Sequence, residues 1–265
     1  SYMTKYAKFA GFGAHLPSKK ITNQDLEKIV DTSDEWIVER SGIRERRIID
    51  SNLAPSDMAV KAIENLQKKH PTFDPSDVDL IIVATTTPDF LMPNTACVIQ
   101  HKIGNKKAAC FDVMAACSGW LYAVSIANQF INSGTYSQIL VIGCETLTRL
   151  VDWKDRSTCI LFGDGCGVAW LKTGEEMGVI DVILGSYGDK GDLLKLPEGG
   201  YSEPEEMRTS ASRQNKIIMK GKELFKVAVT AMSSTSLDLL KKNNLSPDDI
   251  DWFLPHQANL RIMNA

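Results

Sequence analysis

The chain has 265 residues, 43% of them hydrophobic and 24% charged, which suffices for one large core or two ordinary ones and rules out a disordered or fibrous chain. Thirty basic against 33 acidic residues leave a net charge of -3, so no global positive field exists to hold a polyanion, which argues against nucleic acid as a partner. Six cysteines are too sparse for a disulfide scaffold and none is spaced as a zinc pair, so reduced thiols in a cytoplasmic protein without a metal are expected.

Ser1-Tyr2 ahead of Met3 reads as an expression remnant, and the segment after it lacks the charged and apolar regions of a signal peptide. Short β-branched runs then alternate with amphipathic stretches, the pattern of an α/β protein. A strand at residues 6–11 precedes helices at 22–29, 33–40 and 55–69. Next come a strand at 80–85, a helix at 93–103, a strand at 108–112, a helix at 117–133 and a strand at 139–145. Strands at 165–172 and 179–184 follow, then an irregular stretch over 185–215. A strand at 217–219, a helix at 222–243 and a strand at 252–255 end the series. The apolar windows are far shorter than the roughly 18 residues of a membrane span, so a soluble protein with no membrane partner is expected.

One internal echo suggests tandem units. Pro75-Ser-Asp-Val-Asp79 and Pro247-Asp-Asp-Ile-Asp251 stand 172 positions apart (247 minus 75), each after a Lys-Lys helix end and before an apolar run. The expected division lies near residues 172–178, giving halves of 1–174 and 175–265.

Cys117 lies in Phe111-Asp-Val-Met-Ala-Ala-Cys-Ser-Gly-Trp120, where a strand meets a small-residue turn and a helix begins. A helix N-terminus favours a thiolate, a soft nucleophile suited to acyl carbons. The alternative is a small buried hydrophobe, the reading kept for the other five cysteines. His256, in Trp252-Phe-Leu-Pro-His-Gln-Ala-Asn259, follows an expected strand end, where ligands of α/β sheets collect. A neutral imidazole there suits a developing oxyanion, against the alternative of a satisfied loop histidine. Phe162-Gly-Asp-Gly-Cys-Gly167 fits neither phosphate-loop spacing and reads as close backbone packing. Arg44-Glu-Arg-Arg47 reads as a solvated face or, beside Trp36 and Arg40, as an anion site with a ring to stack on. Arg156 is similarly open.

Asp31-Thr-Ser-Asp-Glu-Trp-Ile-Val-Glu-Arg-Ser-Gly-Ile-Arg-Glu-Arg-Arg47, Ala115-Ala-Cys-Ser-Gly119, Phe162-Gly-Asp-Gly165 and Pro255-His-Gln-Ala-Asn-Leu-Arg261 together closely resemble the β-ketoacyl-(acyl carrier protein) synthase III family, which initiates bacterial type II fatty acid synthesis. The resemblance implies a thiolase-like fold of two tandem pseudo-symmetric α/β halves, each with a five-stranded sheet, stacked α/β/α/β/α and paired as a homodimer. It implies that Cys117 takes an acyl group from acyl-CoA and that His256 assists decarboxylation of malonyl-acyl carrier protein. No permanently bound cofactor is implied; acyl-CoA is a substrate.

By the same resemblance Trp36, Arg40 and Arg156 meet the adenine end of CoA, Gly221 and Asn259 line its pantetheine tunnel, and Lys226 and Arg261 meet the carrier protein. Met92 stands where the family commonly has Phe, on a loop that reaches a partner subunit's acyl pocket, which implies a primer range differing from strict acetyl. The family pattern continues past the His256 string to a Gly-Asn-Thr-Ser motif whose Asn would partner His256. The sequence ends at Ala265 before it, so the C-terminal half is expected to be truncated. A related acyltransferase without malonyl decarboxylation, and an inactive fragment, remain open alternatives.

Overall fold

A computed structural model of the chain describes residues 5–197, 200–202 and 216–265. The expected expression remnant and much of the irregular stretch at 185–215 lie outside the described residues. Two compact units are present. The first comprises the residues up to Lys19 together with Arg47–Thr146 and Gly163–Val182; the second comprises Lys20–Arg46, Leu147–Phe162 and Ile183–Ala265.

The first unit is built on β1 (Tyr6–His15), β4 (Leu80–Ala84), β5 (Ala109–Val113), β6 (Gln138–Thr146) and β7 (Asp164–Gly174), in the order β1-β7-β6-β4-β5. β4 runs parallel to both β5 and β6, while β7 is antiparallel to β6 and to β1. All five residues of β4 are buried, as a strand covered on both faces requires. Side-chain alternation then sorts the core into two layers. Ile81 and Val83 of β4, with Leu140, Ile142 and Cys144 of β6, pack against Met58, Ile63 and Leu66 of α3 (Pro55–Lys69). Leu80, Ile82 and Ala84, with Ile139 and Val141, pack against Ala123, Val124, Ala127 and Ile131 of α5 (Gly119–Asn132).

Polar side chains fix the connections. Asp112 on β5 accepts from the Thr95 and Ala96 amides at 2.8 and 2.9 Å, holding the first turn of α4 (Thr95–Lys102), and Asn94 caps that helix. Asp89 accepts from the Ser56 amide and hydroxyl at the start of α3. The loop carrying Phe90, Leu91 and Met92 is therefore anchored on both sides.

The second unit has a separate core of Leu26, Ile37, Val151, Cys159, Ile160 and Ile217. Its elements are α1 (Asn23–Glu27), α2 (Asp34–Ser41), α6 (Arg156–Cys159), α7 (Gly221–Lys242), α8 (Leu260–Asn264) and the ribbon of β8 (Leu194–Lys195) and β9 (Ile218–Met219). A further ribbon joins β2 (Lys19–Thr22) to β3 (Glu45–Ile48). Among the described residues no helix is long and apolar enough to cross a membrane.

The structure departs from the sequence expectations in three respects. The units do not part at residues 172–178, because residues 20–46 and 147–162 leave the first unit and build the second core. Residues 179–184 and 252–255 form no strand, and no second five-stranded sheet is present among the described residues. A strand needs a partner's amides and carbonyls along its length; in residues 179–184 Val179 reaches an edge, donating to the Ala7 carbonyl at 2.8 Å, and no ladder follows from it. The 172-residue echo survives as local geometry: Pro75–Asp77 and Pro247–Asp249 are both single 3₁₀ turns after a long helix.

Ile82 is fully buried at the centre of the α5-side layer. Ile82→Ala is expected to destabilise the protein by about 2–5 kcal/mol, read as a lower denaturant midpoint with an unchanged slope.

Candidate active site

The carboxyl ends of the three parallel strands gather the polar groups of the first unit. β5 ends at Val113, and four residues later Cys117 sits in a 3₁₀ turn, Ala116–Ser118, immediately before α5. Ala116 has φ 46°, a left-handed conformation that costs an L residue about 1–2 kcal/mol. The turn is held because α5 begins very close to the sheet. A Cβ on Gly119 would lie 3.2 Å from the Ala84 Cβ, and one on Gly143 would lie 3.3 Å from Trp120 Cδ1. Small residues at 115, 116 and 119 thus let the chain leave a strand and enter a helix within a few residues, presenting Cys117 at the exposed bend.

The expectation of a thiolate favoured by the helix start is not met. Cys117 precedes the α-helix, in the 3₁₀ turn, and its thiol is pushed above the ordinary value, first by desolvation from surrounding protein and then by the field of Glu145. Glu145 lies on β6, two residues past Gly143, which pairs with Ala84 of β4. One carboxylate oxygen accepts from the Thr86 amide at 2.8 Å, and the other from the Thr86 and Thr87 hydroxyls at 2.9 Å each. Burial raises its pKa although these bonds favour the charged form. Sequence reading missed Glu145; the signal available was the run Thr85-Thr-Thr87 directly after an apolar strand.

The expected CoA residues meet in the second unit. Ser33 caps α2, accepting from the Trp36 amide at 3.1 Å, and the helix turns Trp36 and Arg40 to one side, four residues apart. The Arg40 and Arg156 guanidinium carbons lie 4.4 and 4.5 Å from the centroid of the half-buried Trp36 ring. Arg156 is held there by donating to the Asp31 carbonyl at 3.0 Å. Two cations on one indole form a flat, positively charged surface suited to an anionic ligand bearing an aromatic ring.

The neighbouring basic run divides by environment. Arg46 is buried, and its terminal nitrogens donate to Ile21 O, Asn23 Oδ1 and Ile160 O. Arg47 donates to Pro17 O at 2.8 Å. These two are structural cations, and the solvated-face reading holds for Arg44, which is exposed. In the Gly-rich run at the start of β7, a Cβ on Gly165 would lie 3.2 Å from the Leu16 Cδ2 side-chain atom, whereas one on Gly167 would meet nothing within 4 Å.

His256 also belongs to the second unit, in the extended stretch before α8. His256 is exposed as a residue, yet desolvation by nearby protein lowers its pKa, which favours the neutral imidazole with one N–H to donate. Asn259 caps α8, accepting from the Ile262 amide at 2.9 Å. α8 rests on the end of α2, where Gly42, at φ 73°, would place a Cβ 2.8 Å from the Leu260 Cβ. Arg261 stacks 5.7 Å from the Phe225 centroid on α7, beside the exposed Lys226. Gly221 opens α7. Met92 is 83% exposed, with Phe90 and Leu91 at 57% and 69%. Cys117 lies in the first unit and His256 in the second.

Comparison with known proteins gives one answer. Residues 111–188 match the model of 3-oxoacyl-(acyl carrier protein) synthase III, and residues 240–265 match the model of its C-terminal region. β-Ketoacyl-(acyl carrier protein) synthase III of Natranaerobius thermophilus is 49% identical over 98% of this chain and 80% of its own length. The protein of the same name from Caldanaerobacter subterraneus is 46% identical over 96% of this chain and 77% of its own. The crystal structure of the Aquifex aeolicus synthase III superposes with a TM-score of 0.88 at 41% identity, covering 97% of this chain and 79% of that one.

The direction of the Cys117 shift has a measurable sign. Alkylation of Cys117 by iodoacetamide, followed by peptide mapping from pH 6 to 11, should rise with a midpoint above the ordinary thiol value of about 8.5. A midpoint below that value would contradict the site described.

Proposed function

The chain belongs to the β-ketoacyl-(acyl carrier protein) synthase III family, and from that premise we propose which of its residues do the chemistry. The fold is the thiolase fold of its relatives. The protein is an acyltransferase that condenses an acyl-CoA primer with malonyl-acyl carrier protein, the initiating step of fatty acid synthesis.

The observation that carries the assignment is Cys117 itself, on a left-handed turn at the carboxyl ends of the parallel strands. Its sulfur attacks the thioester carbon of acyl-CoA, a new S–C bond forms as the bond to the CoA sulfur breaks, and the thiol proton ends on CoA. The acyl-enzyme then meets malonyl-acyl carrier protein. His256, neutral at working pH, donates to the malonyl thioester oxygen as carbon dioxide leaves, stabilising the enolate; the enolate carbon attacks the acyl carbon, a C–C bond forms as the S–C bond to Cys117 breaks, and the released thiolate takes up a proton. CoA enters as substrate, with no permanently bound cofactor.

The Arg40–Trp36–Arg156 stack receives the adenine and phosphates of CoA, and Gly221 and Asn259 line the path of its pantetheine arm. Exposed Lys226 and Arg261 meet the acidic carrier protein, a contact that salt should weaken. The exposed, anchored loop at Phe90–Met92 supports a homodimer in which Met92 enters the partner's acyl pocket. A cytoplasmic location accords with six unpaired cysteines.

Intact-mass analysis after acetyl-CoA treatment should show one acetyl group on wild type and on His256→Ala and none on Cys117→Ala. His256→Ala should release carbon dioxide from malonyl-acyl carrier protein at least about 100-fold more slowly. Normal release by that variant would overturn its role, and no release by wild type would favour the acyltransferase alternative. In a primer series of acetyl-, butyryl- and isobutyryl-CoA, Trp36→Ala should raise KM for all three by about tenfold. Met92→Phe should narrow the series toward acetyl; an acetyl-only wild type would remove the argument for Met92.

A further inference from the structure

A carboxylate that the reaction as described does not use lies beside the nucleophile. Odd-numbered residues of β6 face α5, as Ile139 and Val141 do in the core, so Glu145 is directed to the α5 side of the sheet. Even-numbered residues of β4 face the same way, and two residues past Ala84 comes Thr86, which binds both carboxylate oxygens of Glu145. α5 begins on this same spot, with Gly119 against Ala84 and Trp120 against Gly143. Cys117 is two residues before Gly119. Three strand ends and one helix start therefore place a fixed carboxylate beneath the cysteine turn.

The carboxylates of β5 and of the loop after β4 are engaged elsewhere. Asp112 of β5 holds the start of α4, and Asp89 holds the start of α3. Cys144 of β6 faces the α3 layer and pairs across the ladder with Cys166. The charge acting on the Cys117 thiol is that of Glu145.

We propose that Glu145, clamped by Thr86 and Thr87, is a positioning residue that sets the proton affinity and leaving ability of the Cys117 sulfur. The proposal rests on Cys117 being the acylated residue. A negative charge near the sulfur keeps it a thiol in the resting protein and makes the thiolate, once formed, a stronger nucleophile. After acylation the thioester is neutral, so the carboxylate no longer opposes it, while a sulfur of high proton affinity is a poor leaving group toward water. The acyl-enzyme is thereby protected while it waits for malonyl-acyl carrier protein. In the unwanted hydrolysis the oxygen of water would form the new bond to the acyl carbon, the S–C bond would break, and a proton from water would return to sulfur.

The test compares wild type, Glu145→Gln and Glu145→Asp in the full chain. Gln keeps the shape and hydrogen-bonding reach without the charge, and Asp keeps the charge. Iodoacetamide alkylation of Cys117 against pH should show a midpoint about one pH unit lower in Glu145→Gln, giving about tenfold more thiolate below the midpoint, and a midpoint near wild type in Glu145→Asp. The acetyl-enzyme of Glu145→Gln should lose its acetyl group to water several-fold faster. Equal midpoints in all three proteins, or equal lowering in Gln and Asp, would overturn the proposal. Failure of wild type to acquire acetyl on Cys117 would instead overturn the assignment of the nucleophile. Matching circular dichroism and unfolding curves establish that each variant is folded.

Discussion

β4 has no face for water. Leu80–Ala84 is five apolar residues flanked on both edges by parallel strands and covered on both sides by helices. A strand in that position cannot carry a polar side chain without stranding it, so polar chemistry is displaced to the first residues beyond the carboxyl end. Thr85, Thr86 and Thr87 occupy those positions, and Glu145 and Cys117 come to the same level from β6 and β5. The location of the candidate site follows from what the middle of the sheet excludes.

The turn at Ala116 is the local counterpart of that constraint. The chain must pass from β5 to α5 without lifting the helix off the sheet, and the clearance at Gly119 leaves no room for a gradual bend. The left-handed residue absorbs the change of direction, and packing of α5 through Ala123, Val124, Ala127 and Ile131 holds it. Cys117 is presented at a fixed place by a strained turn rather than by a mobile loop, which suits the proposed nucleophile, since it must take an acyl group from one substrate and surrender it to another.

Much of the first unit was legible in the sequence because its signals are local. The apolar run at 80–84 and the Pro-led amphipathic helix at 55–69 carry their own length, period and caps, and α3 falls on its expected bounds. The string around Cys117 singled out the candidate nucleophile for the same reason. What was not legible depends on partners distant in sequence. Residues 179–184 and 252–255 have strand composition but no ladder to join among the described residues. The burial of Arg46 depends on carbonyls at Ile21 and Ile160, and Glu145 gains its meaning from Thr86, 59 positions away. The raised Cys117 thiol belongs to the same class, since helix-start reasoning sees the dipole and not a charge supplied by another strand.

Gly42 shows how two unrelated demands can settle on one position. Its φ of 73° ends α2 in the left-handed conformation, with the amide returning to the Val38 carbonyl, and its missing side chain makes room for Leu260 of α8. Either demand alone would admit a compromise: Asn tolerates the backbone angle, and a small residue elsewhere could yield to the leucine. Together they leave glycine, so the helix bearing Trp36 and Arg40 and the one capped by Asn259 share a hinge point with no chemical latitude. Among relatives, drift at this position should be possible only where the C-terminal helix has also changed, which makes residues 42 and 260 a covarying pair rather than two independent sites.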